Sequence, residues 1–83
     1  MKPIEFIRTQ VFLQTQAAFA KLAGVSQGTV SKWEAGTLAP SQAEMERIRT
    51  AAIRLALKWE KETWQDEWFF VIPKGFIPAQ VPA

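Results

Sequence analysis

Residues 16–35, QAAFAKLAGVSQGTVSKWEA, contain two short helical patterns joined by Gly24-Val25-Ser26. Gly24 directly follows the first pattern, at the position where a helix ends with a positive φ that glycine adopts without a Cβ penalty. Ser26 offers a side-chain oxygen that can cap the second helix. The spacing therefore predicts helices over 16–23 and 27–35, joined as a helix-turn-helix.

The two predicted helices differ in what their faces carry. Ala20 is small enough to let them pack closely, and the apolar contacts between them are expected from Phe19, Leu22, Val25, Val30 and Trp33. The other side of the second helix is a small or polar face, made of Gln27, Gly28, Ser31 and Lys32. A buried structural helix seldom has such a face, whereas a helix that enters a DNA groove needs one.

Residues 15–41 closely resemble the lambda-repressor and Cro type of helix-turn-helix family, also called the XRE family. Residues 3–60 resemble it loosely, and the resemblance stops near Trp59. The matching positions are Gln16, Ala20, Gly24, Val25, Ser26, Gln27, Val30, Ser31, Trp33, Glu34, Gly36, Pro40 and Ser41. The resemblance implies a sequence-specific regulator of transcription that binds double-stranded DNA. We expect a Cro-like repressor that acts as a homodimer on an inverted-repeat operator.

The family also implies which residues touch DNA. Base contacts are expected from Gln27, Gly28, Ser31 and Lys32, and phosphate contacts from Thr15, Gln16, Ser26, Thr29 and Ser41. In this family a Glu at the position of Glu34 is often tied to an Arg of the first helix. Arg8 is the only Arg there, although its spacing to Gln16 departs from the usual pattern.

The flanking sequence predicts a small, mainly all-α bundle that ends in a β-strand or hairpin. A first helix is expected over 3–12, with Pro3 in its first turn, and a fourth helix from 42 to about 61. Ser41 and Glu44 form a capping box at the start of that fourth helix. The bulky run 69–72 predicts a strand, and Phe76-Ile77 a second short strand. We expect a DNA-binding domain over 1–62, an aromatic strand or hairpin over 63–77 and a flexible tail over 78–83.

Large aromatic side chains are concentrated late in the chain. The predicted dimer interface consists of Trp59, Trp64, Trp68, Phe69, Phe70, Val71 and Ile72, with the strand 69–72 pairing with its symmetry mate. Two other interpretations stay open, namely a local core under the fourth helix and a ligand pocket lined by tryptophans. A protein-interaction module, which holds a partner as an antitoxin holds its toxin, is the alternative function.

Composition excludes several classes of chemistry. The 83 residues include no Cys and no His, so disulfides, thiolate metal sites and His-based catalysis are excluded, and we expect no enzyme, no metal and no cofactor. The net charge is +2, and it comes from residues 1–40, which carry four basic and two acidic residues against six of each in 41–83. We find no signal peptide and no membrane span, so a cytoplasmic protein encoded by a bacterium or a phage is expected.

Overall fold

The computed structural model describes residues 1–76, which form a helical bundle with a short hairpin after its last long helix. The predicted mainly helical fold class is confirmed. The elements in chain order are α1 (Pro3–Phe6), a π-helical segment (Ile7–Phe12), α2 (Gln16–Ala23), α3 (Gln27–Ala35), α4 (Gln42–Arg54), β1 (Lys58–Trp59), β2 (Glu62–Thr63) and a 3-10 turn (Asp66–Phe69). Ile77 and the predicted tail over 78–83 lie outside the described residues.

The helix-turn-helix has the boundaries that its sequence predicts. Gly24 ends α2 with φ of 73°, and Ser26 accepts a hydrogen bond from the Thr29 N–H at the start of α3. Thr15 caps α2 in the same way by accepting from the Ala18 N–H. Ala20 is buried where α2 packs on α3, so its small side chain permits the close approach that these short helices require.

One apolar core joins the helices to the C-terminal part of the chain. Its buried members are Ile4, Phe6, Ile7, Val11, Phe12, Phe19, Ala20, Ala23, Val30, Trp33, Ile48, Ala51, Ala52 and Trp68. Val30 and Trp33 bury the inner side of α3, as predicted. Since these two side chains fix that helix against the bundle, its opposite side is left to face solvent.

The first predicted helix spans 3–12 as expected, but its second half is wound as a π-helix. The N–H groups of Leu13 and Gln14 both bond to the carbonyl of Arg8, so the last turn is wider than an α-helical turn. Leu13 then adopts φ of 55° and ends the segment. The chain turns there into Thr15 and α2.

The fourth helix ends earlier than predicted, at Arg54 instead of about residue 61. Ala56 takes a left-handed φ of 54°, its N–H bonds to the Ile53 carbonyl, and the Leu57 N–H bonds back to the Ala52 carbonyl. These two bonds are those of a Schellman motif, which ends a helix and turns the chain. The apolar stripe of α4, which includes Met45, Ile48 and Ala52, continues in the sequence past the helix end, and Leu57 and Trp59 fold back onto the same core.

The prediction of a strand over 69–72 is wrong. The two strands lie earlier, where Lys58 pairs with Thr63 and Trp59 with Glu62 in an antiparallel hairpin. Phe69 instead ends the 3-10 turn, residues 70–72 follow that turn outside any strand, and Phe76 is not in a strand either. Local β propensity is overridden here because a buried tryptophan holds the turn to the core.

Trp68 is 1% exposed and meets the ring of Phe6 edge-to-face, with 6.0 Å between ring centroids. Trp68 is therefore covered by its own chain, and its predicted part in a dimer interface stays a prediction. Trp59, Trp64, Phe69 and Ile72 are half-buried, whereas Phe70 and Val71 are exposed. Trp68 packs in the core of its own chain, against Phe6 of α1.

Replacement of Ala56 by Gly tests the left-handed helix end. A non-glycine residue with this φ is strained by about 1–2 kcal/mol, and glycine avoids that strain. Glycine also raises the conformational entropy of the unfolded chain, which cancels part of the gain in stability. We expect Ala56→Gly to raise the free energy of unfolding by about 0.5–1 kcal/mol, measured by urea denaturation followed by tryptophan fluorescence. Ala43→Gly, on the exposed first turn of α4, is the control and is expected to lower it. A loss of stability in Ala56→Gly would contradict the assigned conformation.

Candidate nucleic-acid interface

The outward face of α3 carries all four residues predicted to contact bases. Gln27, Gly28, Ser31 and Lys32 are exposed, and they lie opposite the buried Val30 and Trp33. Gly28 adds no side chain to this face. A ligand can therefore approach the backbone of α3 closely at its first turn, while the longer side chains of Gln27 and Lys32 project beyond it.

The N-termini of α2 and α3 lie side by side. Gln27 Nε2 donates to Gln16 Oε1 over 3.5 Å, the long limit of a hydrogen bond, so the first residues of the two helices are adjacent. The opening amides of a helix have no intrahelical acceptor, and they favour an anion such as phosphate. This pair of helix starts therefore offers donors beside the polar face of α3.

The residues predicted to contact phosphate all have roles within the chain. Thr15, Ser26 and Ser41 each accept a hydrogen bond from a backbone N–H three residues later, and the Thr29 hydroxyl lies 3.0 Å from that of Ser26. Ser41 and Glu44 form the predicted capping box. These hydroxyls use a lone pair for the cap, and contact with phosphate stays a prediction.

Glu34 connects α3 to both preceding helical elements. Arg8 donates from Nε to Glu34 Oε2 and from Nη2 to Glu34 Oε1, the second over 3.0 Å. Gln16 Nε2 donates to the same Oε1 over 3.0 Å. The link between Arg8 and Glu34 that the family resemblance implied is therefore present, despite the unusual spacing. A guanidinium and a carboxylate in this two-pronged geometry fix orientation as well as distance.

The environment of Arg8 favours its charged form. The hydrogen bond to Glu34 raises the pKa of Arg8 above its ordinary value, burial opposes that effect, and the charges of Glu34 and Glu5 raise the pKa further. A raised pKa on a cation adds stability that is lost only as pH rises through that value. The arginine side of the pair is therefore insensitive to pH near neutrality.

Arg47 fixes the turn of the helix-turn-helix and was missed by sequence reasoning. Its Nε donates to the Ala23 carbonyl over 2.7 Å, where a cation also meets the C-terminal end of the α2 dipole. A Cβ on Gly24 would lie 2.8 Å from the same Nε, so the absence of a side chain there makes room for Arg47 as well as for the positive φ. The contact joins residues 24 positions apart, and no local pattern could have revealed it.

Comparison with known proteins agrees with this geometry. A family model described as Helix-turn-helix matches residues 15–51, which cover α2, α3 and most of α4. No curated protein and no solved structure matches the chain significantly. The matched segment is a helix-turn-helix domain of the lambda-repressor and Cro type.

The match supports a DNA-binding regulator of transcription of the XRE type, with double-stranded DNA as its ligand. Regulators of this family are generally not enzymes. No helix within residues 1–76 combines the length and the apolar character needed to cross a membrane.

Removal of Arg8 tests the link through Glu34. In Arg8→Ala the half-buried Glu34 carboxylate keeps only Gln16 as a side-chain donor, and hydrogen bonds to charged groups contribute about 1.5–3 kcal/mol. We expect the free energy of unfolding to fall by about 2 kcal/mol in urea denaturation. Arg8→Lys keeps the charge without the two-pronged geometry. Its free energy of unfolding is expected to lie between those of the wild type and Arg8→Ala.

Arg49→Ala is the matched control, because Arg49 and Asp66 form an exposed pair at 3.3 Å with side chains 49% and 67% exposed. Exposed pairs contribute less than about 1 kcal/mol. Equal losses in Arg8→Ala and Arg49→Ala would contradict a special role for the link to Glu34.

Proposed function

We propose that α3 lies in the major groove and that two copies of the chain bind an inverted-repeat operator as a Cro-like repressor. The observation that carries this proposal is the exposed face formed by Gln27, Gly28, Ser31 and Lys32, whose opposite side is buried in the core. A nine-residue helix is about 14 Å long, which suits a groove that is about 12 Å wide.

Each side chain on this face has a base or phosphate that it can recognise. The amide of Gln27 can pair with N6 and N7 of adenine, and the ammonium of Lys32 can donate to O6 and N7 of guanine or to a phosphate. Ser31 can donate to or accept from a base edge. Gly28 allows the backbone to approach closely, or leaves room for a thymine methyl group.

The proposal gives Gln27 a defined starting geometry. Its side chain lies against Gln16, Gln16 donates to Glu34, and Glu34 is held by Arg8. A side chain that is oriented before binding loses less conformational freedom when it meets a base. We therefore assign sequence preference chiefly to Gln27, with Gln16 as its support and as a phosphate donor from the first turn of α2.

A dimer follows from the modest charge of one copy. Lys32 is the only cation on the proposed base-reading face, so one copy makes few charge contacts with DNA. Two copies related by a two-fold axis would place their α3 helices in successive major grooves, about 34 Å apart. A dimer bound near a promoter would block the polymerase, which makes it a repressor. We place this activity in the cytoplasm of a bacterium, with the gene carried by the cell or by a phage.

Lys32→Ala is expected to weaken operator binding and to lower its dependence on salt. A lysine on a phosphate releases about one counterion, so the slope of log K against log salt should fall by about one unit for each copy bound. The measurement is fluorescence anisotropy over a salt series. Lys61→Ala, exposed in the turn of the hairpin, is the control and should keep the wild-type slope.

Gln27→Ala is expected to relax sequence preference at one base pair of each half-site. Loss of a two-pronged contact to adenine removes about 1–3 kcal/mol of discrimination, while binding to unrelated duplexes should change little. Selection of bound duplexes from a random pool reveals the preferred half-site and its symmetry for the wild type and the variant. Gln65→Ala is the control, since Gln65 is an exposed glutamine in the C-terminal part. If Lys32→Ala and Gln27→Ala both bind the selected operator as the wild type does, the assignment of α3 is wrong.

A gel shift combined with size-exclusion chromatography separates this proposal from the antitoxin-like alternative. Binding of duplex DNA by the isolated dimer supports the regulator. Absence of binding until a second protein is added would instead favour a module that acts through a partner.

A further inference from the structure

A partly exposed apolar ridge runs beside the C-terminal end of α3. We define the ridge as Met45, Phe69 and Phe70, because these three residues line both of the grooves that flank it. The first groove has a volume of about 380 Å³ and includes Trp33, Leu38 and Pro40 in its walls. The second groove, of about 240 Å³, is lined on its other side by the polar residues Gln42, Glu46, Arg49 and Asp66.

We propose that a second copy of the chain packs face to face on this surface, with Phe70 of each copy seated in the first groove of the other. This inference rests on the proposed function, since it names the surface that joins the two copies on the operator. Compared with the interface predicted from the sequence, this surface lies away from Trp59, Trp64 and Trp68 and includes the loop that follows α3.

The exposure of the apolar side chains indicates that something covers this surface. Phe70 is 69% exposed, and Leu38 in the wall of the first groove is 47% exposed. An apolar patch of this kind on a small domain marks an interaction site more often than a free surface. A specific interface buries about 800 Å² on each partner, more than Phe70 alone can supply, so the walls of the grooves must be included.

The shape of the surface suits a second copy of itself. A two-fold interface requires that the same patch complement itself, so a ridge must find a groove on the partner. Here the ridge and the first groove lie next to each other on one face. A first groove of about 380 Å³ has room for the phenyl ring of Phe70 from the other copy. Two such insertions, related by the axis, would bury both exposed rings.

The first groove adjoins α3 directly. Trp33 and Gly36 at the C-terminal end of α3 are part of its wall. Two copies joined at this groove would therefore couple their α3 helices without an intervening flexible segment.

A second apolar hollow has no residue of α3 in its wall. It is lined by Ala52, Ile53, Ala56, Leu57, Lys58, Thr63 and Trp64, which belong to the end of α4 and to the hairpin. Ile53 is 55% exposed there, close to the exposure of Val71. Since no residue of α3 lines this hollow, it serves as the control surface for the test.

The charges at the two edges of the surface are also complementary. Lys2 lines the first groove, and its side chain lies over Gly36 at the end of α3. Glu46 lines the second groove beside Arg49 and Asp66, which pair with each other. A two-fold axis between the ridge and the first groove turns opposite edges of the two copies toward each other, so the edge with Lys2 in one copy faces the edge with Glu46 in the other.

Phe70→Gln is the first test, with Ile53→Gln as its matched control. Both changes replace an exposed apolar side chain by the same neutral polar one. We expect Phe70→Gln to raise the dimer dissociation constant at least about tenfold, since buried aromatic anchors dominate such interfaces. Ile53→Gln should leave it unchanged. Sedimentation velocity over a concentration series without DNA measures both constants, and circular dichroism checks that each variant keeps its helices.

Chemical cross-linking is the second test, and the lack of native cysteine makes it clean. Mixed Leu38→Cys and Phe70→Cys chains should form a disulfide-linked heterodimer under mild oxidation, because a disulfide needs Cα atoms within about 7 Å. A mixture of Ile53→Cys and Phe70→Cys chains should yield no such product above background. Equal cross-linking in the two mixtures would overturn the proposed contact.

The outcomes also separate this inference from the proposed function. A wild-type chain that stays monomeric, or a Phe70→Gln variant as dimeric as the wild type, overturns the interface. Such a result leaves base reading by α3 intact if Gln27→Ala still changes the preferred half-site. Loss of that effect with a normal dimer would instead overturn the base-reading assignment and keep the interface.

Discussion

The carboxylate of Glu34 fixes α3 to the rest of the molecule. It accepts two hydrogen bonds from Arg8 and one from Gln16, so one side chain of α3 holds both the first helical segment and the start of α2. Two helices of eight and nine residues would not be stable alone in water. Their stability comes from the core under Ala20, Val30 and Trp33, and their relative orientation comes from the charged link at the edge of that core.

Arg47 provides a second constraint from the opposite end of α2. Its bond to the Ala23 carbonyl ties α4 to the turn, while Glu34 ties α3 to the π-helical segment and to α2. Between these two points the turn at Gly24 has little freedom to change its angle. A base-reading helix benefits from such rigidity, because misplacing its first residues would cost contacts on every base pair that it reads.

Prediction from the sequence was most accurate where the determinants are local. Caps at Thr15, Ser26 and Ser41, the left-handed ends at Gly24 and Gly36 and the buried face of α3 all follow from neighbouring residues. The end of α4 was placed too late because the stripe from Met45 to Trp59 is continuous in sequence. The pattern does not show that Ala56 turns the chain while Leu57 and Trp59 reach the same core.

The strand predicted in the C-terminal segment is absent for a related reason. The bulky run from Phe69 to Ile72 has strong β propensity, but the turn before it is held by Trp68 against Phe6. A contact that spans 62 residues outweighs the local preference, as tertiary packing often does for short apolar runs. Burying Trp68 also directs the next side chains outward, which leaves Phe70 and Val71 exposed.

The few charges on α3 and the partly exposed ridge beside it both favour a dimer on DNA. With Lys32 as the one cation on its proposed base-reading face, a single α3 is expected to bind DNA weakly. Joining two copies makes the second contact intramolecular, at an effective concentration near the millimolar range for a short connection, but only when both helices fit the DNA at once. The proposed interface lies directly against the end of α3, so no flexible element separates the joining surface from the reading surface. The links through Glu34 and Arg47 would then transmit the spacing set at Phe70 to the first turn of α3, where Gln27 lies.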